Sequence, residues 1–258
     1  MKRPRLAVYK FASCDGCQLQ ILNAETELLT LAELVDIAYF PEARSHLGRG
    51  PFDVGLVEGS ITTAADARRI QVIRREVDTL VTIGACATTG GIQALRNWAD
   101  VEEYKRAVYP NPDWLETLGH STAIAEHVAV DFELPGCPID RGQLLEVLRS
   151  LLVGVRPSLP RHSVCLTCKQ KGIACLAVTR QEPCLGPVTR TGCGAICPQM
   201  GRGCYGCFGP AEGANVGALV ERFRSDGMAA DEAVRRLRGF TGYAPAFREA
   251  SNAIEDDE

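Results

Sequence analysis

The fold is decided by the stretch Leu80-Val81-Thr82-Ile83-Gly84-Ala85-Cys86, an apolar run that ends in glycine and cysteine. A short apolar run bounded by glycine is typical of a buried strand. Similar runs lie on both sides of it, separated by stretches with helical spacing of apolar residues. The predicted strands are Arg5–Lys10, Val35–Phe40, Asp53–Glu58, Leu80–Gly84 and His127–Leu134, and the predicted helices are Cys17–Leu34, Ala64–Val77 and Arg141–Val153. This alternation predicts an α/β fold with a parallel sheet that is covered on both faces.

Residues suited to ligand binding follow four of these strands. They are Ser13–Cys17, Glu58-Gly59-Ser60, Gly84-Ala85-Cys86 and Pro135-Gly136-Cys137-Pro138. Open parallel sheets bind ligands at the carboxyl ends of their strands. We therefore expect one ligand site at this edge of the sheet.

The composition changes near residues 156–160. From Pro160 to Pro210 the chain has eight cysteines, many glycines and prolines, and little apolar periodicity. Such a segment buries little hydrophobic core of its own and needs cross-links to be stable. Metal clusters are the candidates for these cross-links. Two helices, Gly217–Ser225 and Met228–Phe240, are predicted after it, followed by a frayed end. The sequence thus predicts two domains, residues 1–157 and 158–258, of which the second is irregular and rich in cysteine.

Twelve cysteines are many for a chain of 258 residues. The basic N-terminus is not followed by a secretory apolar region or a twin-arginine pair, and no run of roughly 18 apolar residues occurs. These features predict a cytoplasmic protein without a membrane span. Cysteines in that setting are more often metal ligands than disulfides. A net charge of −4 argues against a nucleic-acid partner.

The cysteines divide into three sets of four without remainder. The sets are Cys14, Cys17, Cys86 and Cys137; Cys165, Cys168, Cys175 and Cys184; and Cys193, Cys197, Cys204 and Cys207. Four thiolates are the usual shell of a 4Fe–4S cluster. A zinc-stabilised interaction module is the alternative for the C-terminal eight, and a redox-active pair is the alternative for Cys14 and Cys17. The sequence leaves open whether Glu58 handles protons or acts as a brace, and whether His162 is a ligand.

Several longer motifs lie along the chain in a fixed order. They are Cys14-Asp15-Gly16-Cys17, Val57-Glu58-Gly59-Ser60, Ile83-Gly84-Ala85-Cys86, Pro135-Gly136-Cys137-Pro138, and Pro183-Cys184-Leu185-Gly186-Pro187 with Cys193 and the pair Cys204 and Cys207 after it. Together they resemble the small subunits of NiFe hydrogenases over nearly the whole chain.

The resemblance implies a flavodoxin-like first domain and three 4Fe–4S clusters. By position, the proximal cluster is bound by Cys14, Cys17, Cys86 and Cys137, the distal cluster by Cys165, Cys168, Cys175 and Cys184, and the medial cluster by Cys193, Cys197, Cys204 and Cys207. It also implies a separate large subunit with the nickel–iron site, so that this chain has no catalytic residue of its own.

Three features differ from the exported members of the family: no twin-arginine leader, Cys165 in place of a histidine, and Cys197 in place of a proline. They resemble the cytosolic, bidirectional branch, especially the small (delta) subunits of NAD(P)-linked hydrogenases, also called sulfhydrogenases. That branch implies iron–sulfur and flavin subunits that reduce NAD(P)+. A deazaflavin-linked or heterodisulfide-linked acceptor is the alternative. The single-cluster subunit of quinone-reducing complex I shares the fold, but its adjacent cysteines are absent here.

Overall fold

The computed structural model describes residues 3–24, 27 and 33–256. The chain divides into two compact units, Met1–Pro157 and Ser158–Glu258. Among the residues described, no helix has the length and apolar character needed to cross a bilayer.

The first unit is built on a five-stranded parallel sheet. Its strands are β1 (Arg5–Lys10), β2 (Asp36–Tyr39), β3 (Phe52–Glu58), β4 (Val77–Ile83) and β5 (Phe132–Leu134), in the order β2-β1-β3-β4-β5. This order is that of flavodoxin-like folds. Successive residues of β1 from Leu6 to Tyr9 are all buried, so the sheet is covered on both faces. The predicted α/β class is therefore confirmed.

The carboxyl ends of four strands lie side by side. Lys10 pairs with Glu58, Glu58 pairs with Ile83, and Ile83 pairs with Leu134. Because these strands are parallel, the segments that follow them all leave from one edge of the sheet. This register places the predicted ligand loops next to one another.

The helices of the first unit are α1 (Gly16–Leu22), α2 (Ala64–Glu76), α3 (Gly84–Thr89), α4 (Val101–Val108) and α5 (Arg141–Leu152). Short 3-10 turns occur at Ile92–Trp98, Pro112–Trp114 and Ile124–Glu126. Ile70 and Ile73 of α2 pack into the same core as Leu80 of β4. The predicted helix Cys17–Leu34 is found as Gly16–Leu22, and its remaining leucines Leu28, Leu29 and Leu31 lie outside the described residues.

Two predicted strand boundaries were wrong. β4 begins at Val77, three residues before Leu80, because Val77 pairs with Phe52 of β3. The predicted strand His127–Leu134 is reduced to Phe132–Leu134, since only these residues pair with β4. The residues just before it form a 3-10 turn at Ile124–Glu126 instead.

The second unit contains six helices among its described residues: α6 (Val164–Gln170), α7 (Leu176–Thr179), α8 (Ile196–Gln199), α9 (Val216–Ser225), α10 (Ala230–Leu237) and α11 (Pro245–Asp256). Its main core joins α9, α10 and α11 to Leu185 and Val188 from the cysteine-rich segment. That segment therefore shares a larger core than its composition predicts.

The frayed end predicted after Phe240 was wrong, because α11 occupies that region. Its side chains Phe247, Ser251 and Ile254 are buried at helical spacing. Proline at the first helical position, Pro245, is a favourable start. Glu255 forms an ion pair with Arg238, so this end of the chain is held against the end of α10.

Candidate metal centres

The four N-terminal cysteines lie at the carboxyl edge of the sheet. Cys14 and Cys17 flank the start of α1, Cys86 lies in α3 directly after β4, and Cys137 follows β5. The charges of Cys86 and Cys137 act on Cys17. The charge of Cys14 acts on Cys86 and on Cys137. The four thiols are therefore close enough for the charge of one thiolate to act on another.

Two glycines keep the space beside these sulfurs open. A Cβ on Gly84 would lie 2.3 Å from Cys17 Sγ, and a Cβ on Gly91 would lie 2.6 Å from Cys86 Sγ. Their φ angles are 86° and 63°, a region that L side chains rarely adopt. Only glycine fits these positions, which bring bare backbone next to two predicted ligands.

Glu58 braces the same group from the end of β3. Its side chain is 2% exposed, and its Oε1 accepts a hydrogen bond from the Cys17 N–H at 3.0 Å. Among the residues that the structure describes, Glu58 Oε2 and both polar side-chain atoms of Gln18 are buried and find no hydrogen-bond partner. Burial raises the pKa of Glu58, while the neighbouring Gln18 and the Cys17 N–H favour its ionised form.

Burial also decides the protonation of Cys17, Cys86 and Cys137. It raises the pKa of Cys86 to about 11, and it raises the pKa values of Cys17 and Cys137. At neutral pH these thiols are protonated in the metal-free chain. Since metals bind the thiolate, binding would release protons.

Two thiols of the first C-terminal set lie beside Gly186. Cys165 and Cys168 are one turn apart on α6, and Cys175 precedes α7. A Cβ on Gly186 would lie 3.2 Å from Cys184 Sγ and 3.7 Å from Cys165 Sγ. Burial raises the pKa of Cys165 to about 11, and the charges of Cys184, Cys168 and Cys175 act in the same direction. These four thiols are therefore neighbours.

The second C-terminal set lies in and around α8. Cys193 precedes this helix, Cys197 lies in its first turn, and Cys204 and Cys207 follow it. The charge of Cys193 acts on both Cys197 and Cys204. Burial raises the pKa of Cys204 to about 12, whereas the Gly206 N–H donates to Cys204 Sγ at 3.5 Å and opposes that rise. Cys207 is half-buried.

The two C-terminal sets touch each other. The Cys204 N–H donates to Cys184 Sγ at 3.2 Å, and the Gly186 N–H donates to the same sulfur at 3.4 Å. The Leu185 N–H donates in return to the Cys204 carbonyl oxygen at 3.0 Å. Residues 184–186 and 204–206 are thus paired through both backbone and sulfur.

The donors suit iron–sulfur clusters. All twelve predicted ligands are thiols, three backbone N–H groups point at two of their sulfurs, and glycines leave room beside others. Backbone donors to cluster sulfurs are the usual surroundings of such clusters. Within the described chain, no three His, Cys, Asp or Glu side chains converge on the position of a single ion.

Two side chains near the thiols, His162 and Arg202, differ in what the sequence predicted for them. The ring of His162, a candidate ligand, is exposed, and its Nδ1 lies 3.0 Å from the Ser163 carbonyl oxygen. Arg202 was not predicted to have a role. It opposes the rise in the pKa of Cys197 that burial and Cys193 cause, and its guanidinium lies 5.3 Å from the Tyr205 ring centre. Its place five residues after Cys197 was the only signal in the sequence.

A family model described as "NADH ubiquinone oxidoreductase, 20 Kd subunit" matches residues 14–151. That span holds the sheet edge and the first four cysteines. The curated relatives extend the likeness beyond it. The delta subunit of sulfhydrogenase 2 from Pyrococcus furiosus is 36% identical over 239 residues, which cover 93% of this chain and 100% of that protein.

Two further similarities involve hydrogenases. A subunit of the F420-non-reducing hydrogenase (vhu) of Methanocaldococcus jannaschii is 29% identical, over 92% of this chain and 94% of that one. A chain in the crystal structure of an NAD+-reducing [NiFe]-hydrogenase in the H2-reduced state matches with a TM-score of 0.57 and 34% identity. That match covers 62% of this chain and 96% of the solved chain.

The fold and the cysteines define an iron–sulfur electron-transfer subunit of an oxidoreductase complex. The chain belongs to the NADH ubiquinone oxidoreductase 20 kDa subunit family, and within it to the small (delta) subunits of NiFe hydrogenases. Its partner is accordingly a hydrogenase large subunit, which contains the nickel–iron site.

Proposed function

We propose that this chain relays electrons between the large-subunit nickel–iron centre and an NAD(P)-reducing iron–sulfur and flavin module of a cytosolic, bidirectional hydrogenase. Three 4Fe–4S clusters would provide the path. The proximal cluster is assigned to Cys14, Cys17, Cys86 and Cys137. The distal cluster is assigned to Cys165, Cys168, Cys175 and Cys184, and the medial cluster to Cys193, Cys197, Cys204 and Cys207.

The proposal divides the twelve thiols into three sets, and one observation carries it: the first four thiols are neighbours at the carboxyl edge of the sheet. The coupling among Cys14, Cys17, Cys86 and Cys137 supports the first group. The action of Cys184, Cys168 and Cys175 on Cys165 supports the second. The action of Cys193 on Cys197 and Cys204 supports the third, on which Cys184 of the second set also acts. This assignment gives one cluster to the first domain, residues 1–157, and two clusters to the second domain, residues 158–258.

The chain's own residues have three tasks in this function. Its thiolates hold the clusters, which when bound take up and release single electrons. Gly84 and Gly91 let backbone approach the sulfurs. The N–H groups of Cys204, Gly186 and Gly206 donate to sulfur, which stabilises the added negative charge of a reduced cluster.

The acceptor is supported by the names of similar proteins. The solved chain with 34% identity belongs to an NAD+-reducing hydrogenase, which favours the NAD(P)-linked acceptor. The relative from an F420-non-reducing hydrogenase favours a second candidate, in which a different carrier accepts the electrons. Mass spectrometry of the native complex would distinguish them by identifying either flavin subunits that bind NAD(P) or other neighbouring subunits.

Metal analysis tests the central proposal. Protein purified without oxygen should contain about twelve iron and twelve sulfide per chain, with visible charge-transfer absorption. Stoichiometric zinc without iron would overturn the proposal and favour a zinc-stabilised interaction module. The isolated chain should show no hydrogen uptake, and uptake by the chain alone would contradict its assignment as a subunit without the nickel–iron site.

A further inference from the structure

The short helix α8 exposes two large apolar side chains. Ile196 is 56% exposed and Met200, just after the helix, is 74% exposed. The Met200 N–H donates to the Ile196 carbonyl oxygen at 3.1 Å, so the two residues are one turn apart and lie on the same side. Exposed apolar side chains that lie together are typical of surfaces that bind another protein.

A positive side chain lies at each end of this apolar pair. Lys171 Nζ donates to the Gly194 carbonyl oxygen at 2.7 Å, just before α8. Arg180 Nη1 lies 3.4 Å from the position that a Cβ on Gly201 would take, just after α8. Both residues are exposed, and among the described residues neither has a carboxylate partner. We call the surface formed by Lys171, Arg180, Ile196 and Met200 the α8 face.

The charge around the α8 face differs from that of the whole chain. The chain has a net charge of −4. Residues 158–207, however, contain six basic residues and a single acidic one, Glu182. The basic residues are Arg161, Lys169, Lys171, Arg180, Arg190 and Arg202. Arg161 pairs with Glu212, whereas Lys171 and Arg180 have no carboxylate partner among the described residues. The α8 face therefore complements an acidic partner.

The α8 face also lies directly over predicted cluster ligands. Cys197 is part of α8 itself, and Cys193 precedes it. Cys175 is exposed and directly precedes the short helix α7, which ends just before Arg180. A protein bound here would lie close to thiols of both C-terminal sets.

We propose that the α8 face is the docking site of an acidic electron-carrier protein with an iron–sulfur or flavin centre. This inference rests on the proposed electron-relay function. A second copy of this chain is a poor occupant, because it would set the cations of one α8 face against those of the other. Lys171 and Arg180 steer and orient the partner, while Ile196 and Met200 supply the apolar contact.

The test measures binding to the purified, cluster-loaded complex of this chain with its large subunit, prepared without the iron–sulfur and flavin subunits. The probe is an acidic plant-type 2Fe–2S ferredoxin. A basic cytochrome c, which has the opposite net charge, serves as the comparison. The double variant Lys171→Glu and Arg180→Glu should weaken ferredoxin binding at low salt by about tenfold or more and should strengthen cytochrome c binding. Binding of ferredoxin to the unmodified complex should also weaken as salt rises.

A matched control separates local from overall charge. The double variant Arg224→Glu and Arg235→Glu makes the same change in net charge on α9 and α10, and should bind ferredoxin as the unmodified complex does. Equal losses in both double variants, or ferredoxin binding that does not depend on salt, would overturn the proposal. Loss of the large subunit from the Lys171→Glu and Arg180→Glu variant would overturn it as well, by assigning the face to that subunit.

The two proposals fail in different ways. Metal analysis that finds no iron would contradict the electron-relay function. Three intact clusters by EPR, together with unchanged ferredoxin binding in the α8-face variant, would contradict only the docking site. If the charge-reversed variant does not fold, the single variant Lys171→Gln takes its place; it should weaken ferredoxin binding at low salt, and unchanged binding would contradict the docking site.

Discussion

The backbone N–H of Cys204 donates to the Sγ atom of Cys184 at 3.2 Å. These two cysteines are assigned to different clusters, so one hydrogen bond joins the two sites. A hydrogen bond to a ligand sulfur raises the reduction potential of its cluster, because it stabilises added negative charge. The two C-terminal sites are therefore expected to influence each other.

This coupling predicts different results for two ligands of the same set. Cys175→Ala should disturb the distal cluster alone, since Cys175 is exposed and lies at the edge of the set. Cys184→Ala should disturb the distal cluster and also shift the medial one, because the Cys204 N–H loses its acceptor. EPR-monitored redox titration of both variants checks this. Indistinguishable effects on the medial signal would contradict the coupling.

Cys197→Pro should convert one 4Fe–4S cluster to a 3Fe–4S cluster. The variant keeps Cys193, Cys204 and Cys207, and three thiolates can hold three irons. Proline is tolerated in the first turn of a helix, where Cys197 lies. Low-temperature EPR of the oxidised protein should show a new 3Fe–4S signal, with the other two clusters retained. Disappearance of the proximal cluster instead would show that the assignment is wrong.

Arg202→Gln should lower the potential of the medial cluster. Arg202 acts electrostatically on Cys197, and a nearby cation stabilises the reduced state. One exposed charge at this range shifts a potential by an amount on the order of 50 mV. Redox titration by EPR measures the shift. Arg202→Lys keeps the charge and should restore most of the potential, whereas equal values for both variants would argue against a charge effect.

Gly84→Ala should prevent stable loading of the proximal cluster. A Cβ there would lie 2.3 Å from Cys17 Sγ at a φ of 86°. Gly154 provides the control, because its φ is 71° and a Cβ there would meet no atom within 4 Å. Gly154→Ala should cost only about 1 kcal/mol of backbone strain and leave the iron content unchanged. Comparable iron content in the two variants would show that Gly84 is not required for space.

Glu58→Gln should change how stability depends on pH. Folding raises the pKa of Glu58 above its ordinary value of 4.5. Stability from this group is thus fully present below pH 4.5 and is lost as pH rises through the folded pKa. Glutamine does not titrate but still offers an oxygen to the Cys17 N–H.

The Glu58→Gln variant and the wild type are compared by thermal unfolding without oxygen at several pH values. As pH rises above 4.5, the wild type should lose stability relative to the variant, by at most about 1.4 kcal/mol per pH unit. Parallel curves would show that Glu58 does not titrate in this range in the folded protein.

Local patterns were enough to predict the site at the sheet edge. Glu58 and Gly84 each follow an apolar run, and parallel register then brings these ends together. The pairing of Cys184 with Cys204 and the approach of Arg180 to Gly201 could not be predicted, because both join segments separated by about twenty residues of irregular chain. Phe247 and Ile254 have helical spacing, but the stretch around them is short and polar, so the sequence pattern did not predict α11.

Leu185 and Val188 share the apolar core of the three C-terminal helices. The chain between two predicted ligand segments is thus anchored by hydrocarbon as well as by its predicted ligands. We expect α9 to α11 to hold this part of the chain in place before any cofactor arrives. Cluster insertion would then be a late step on a preformed scaffold.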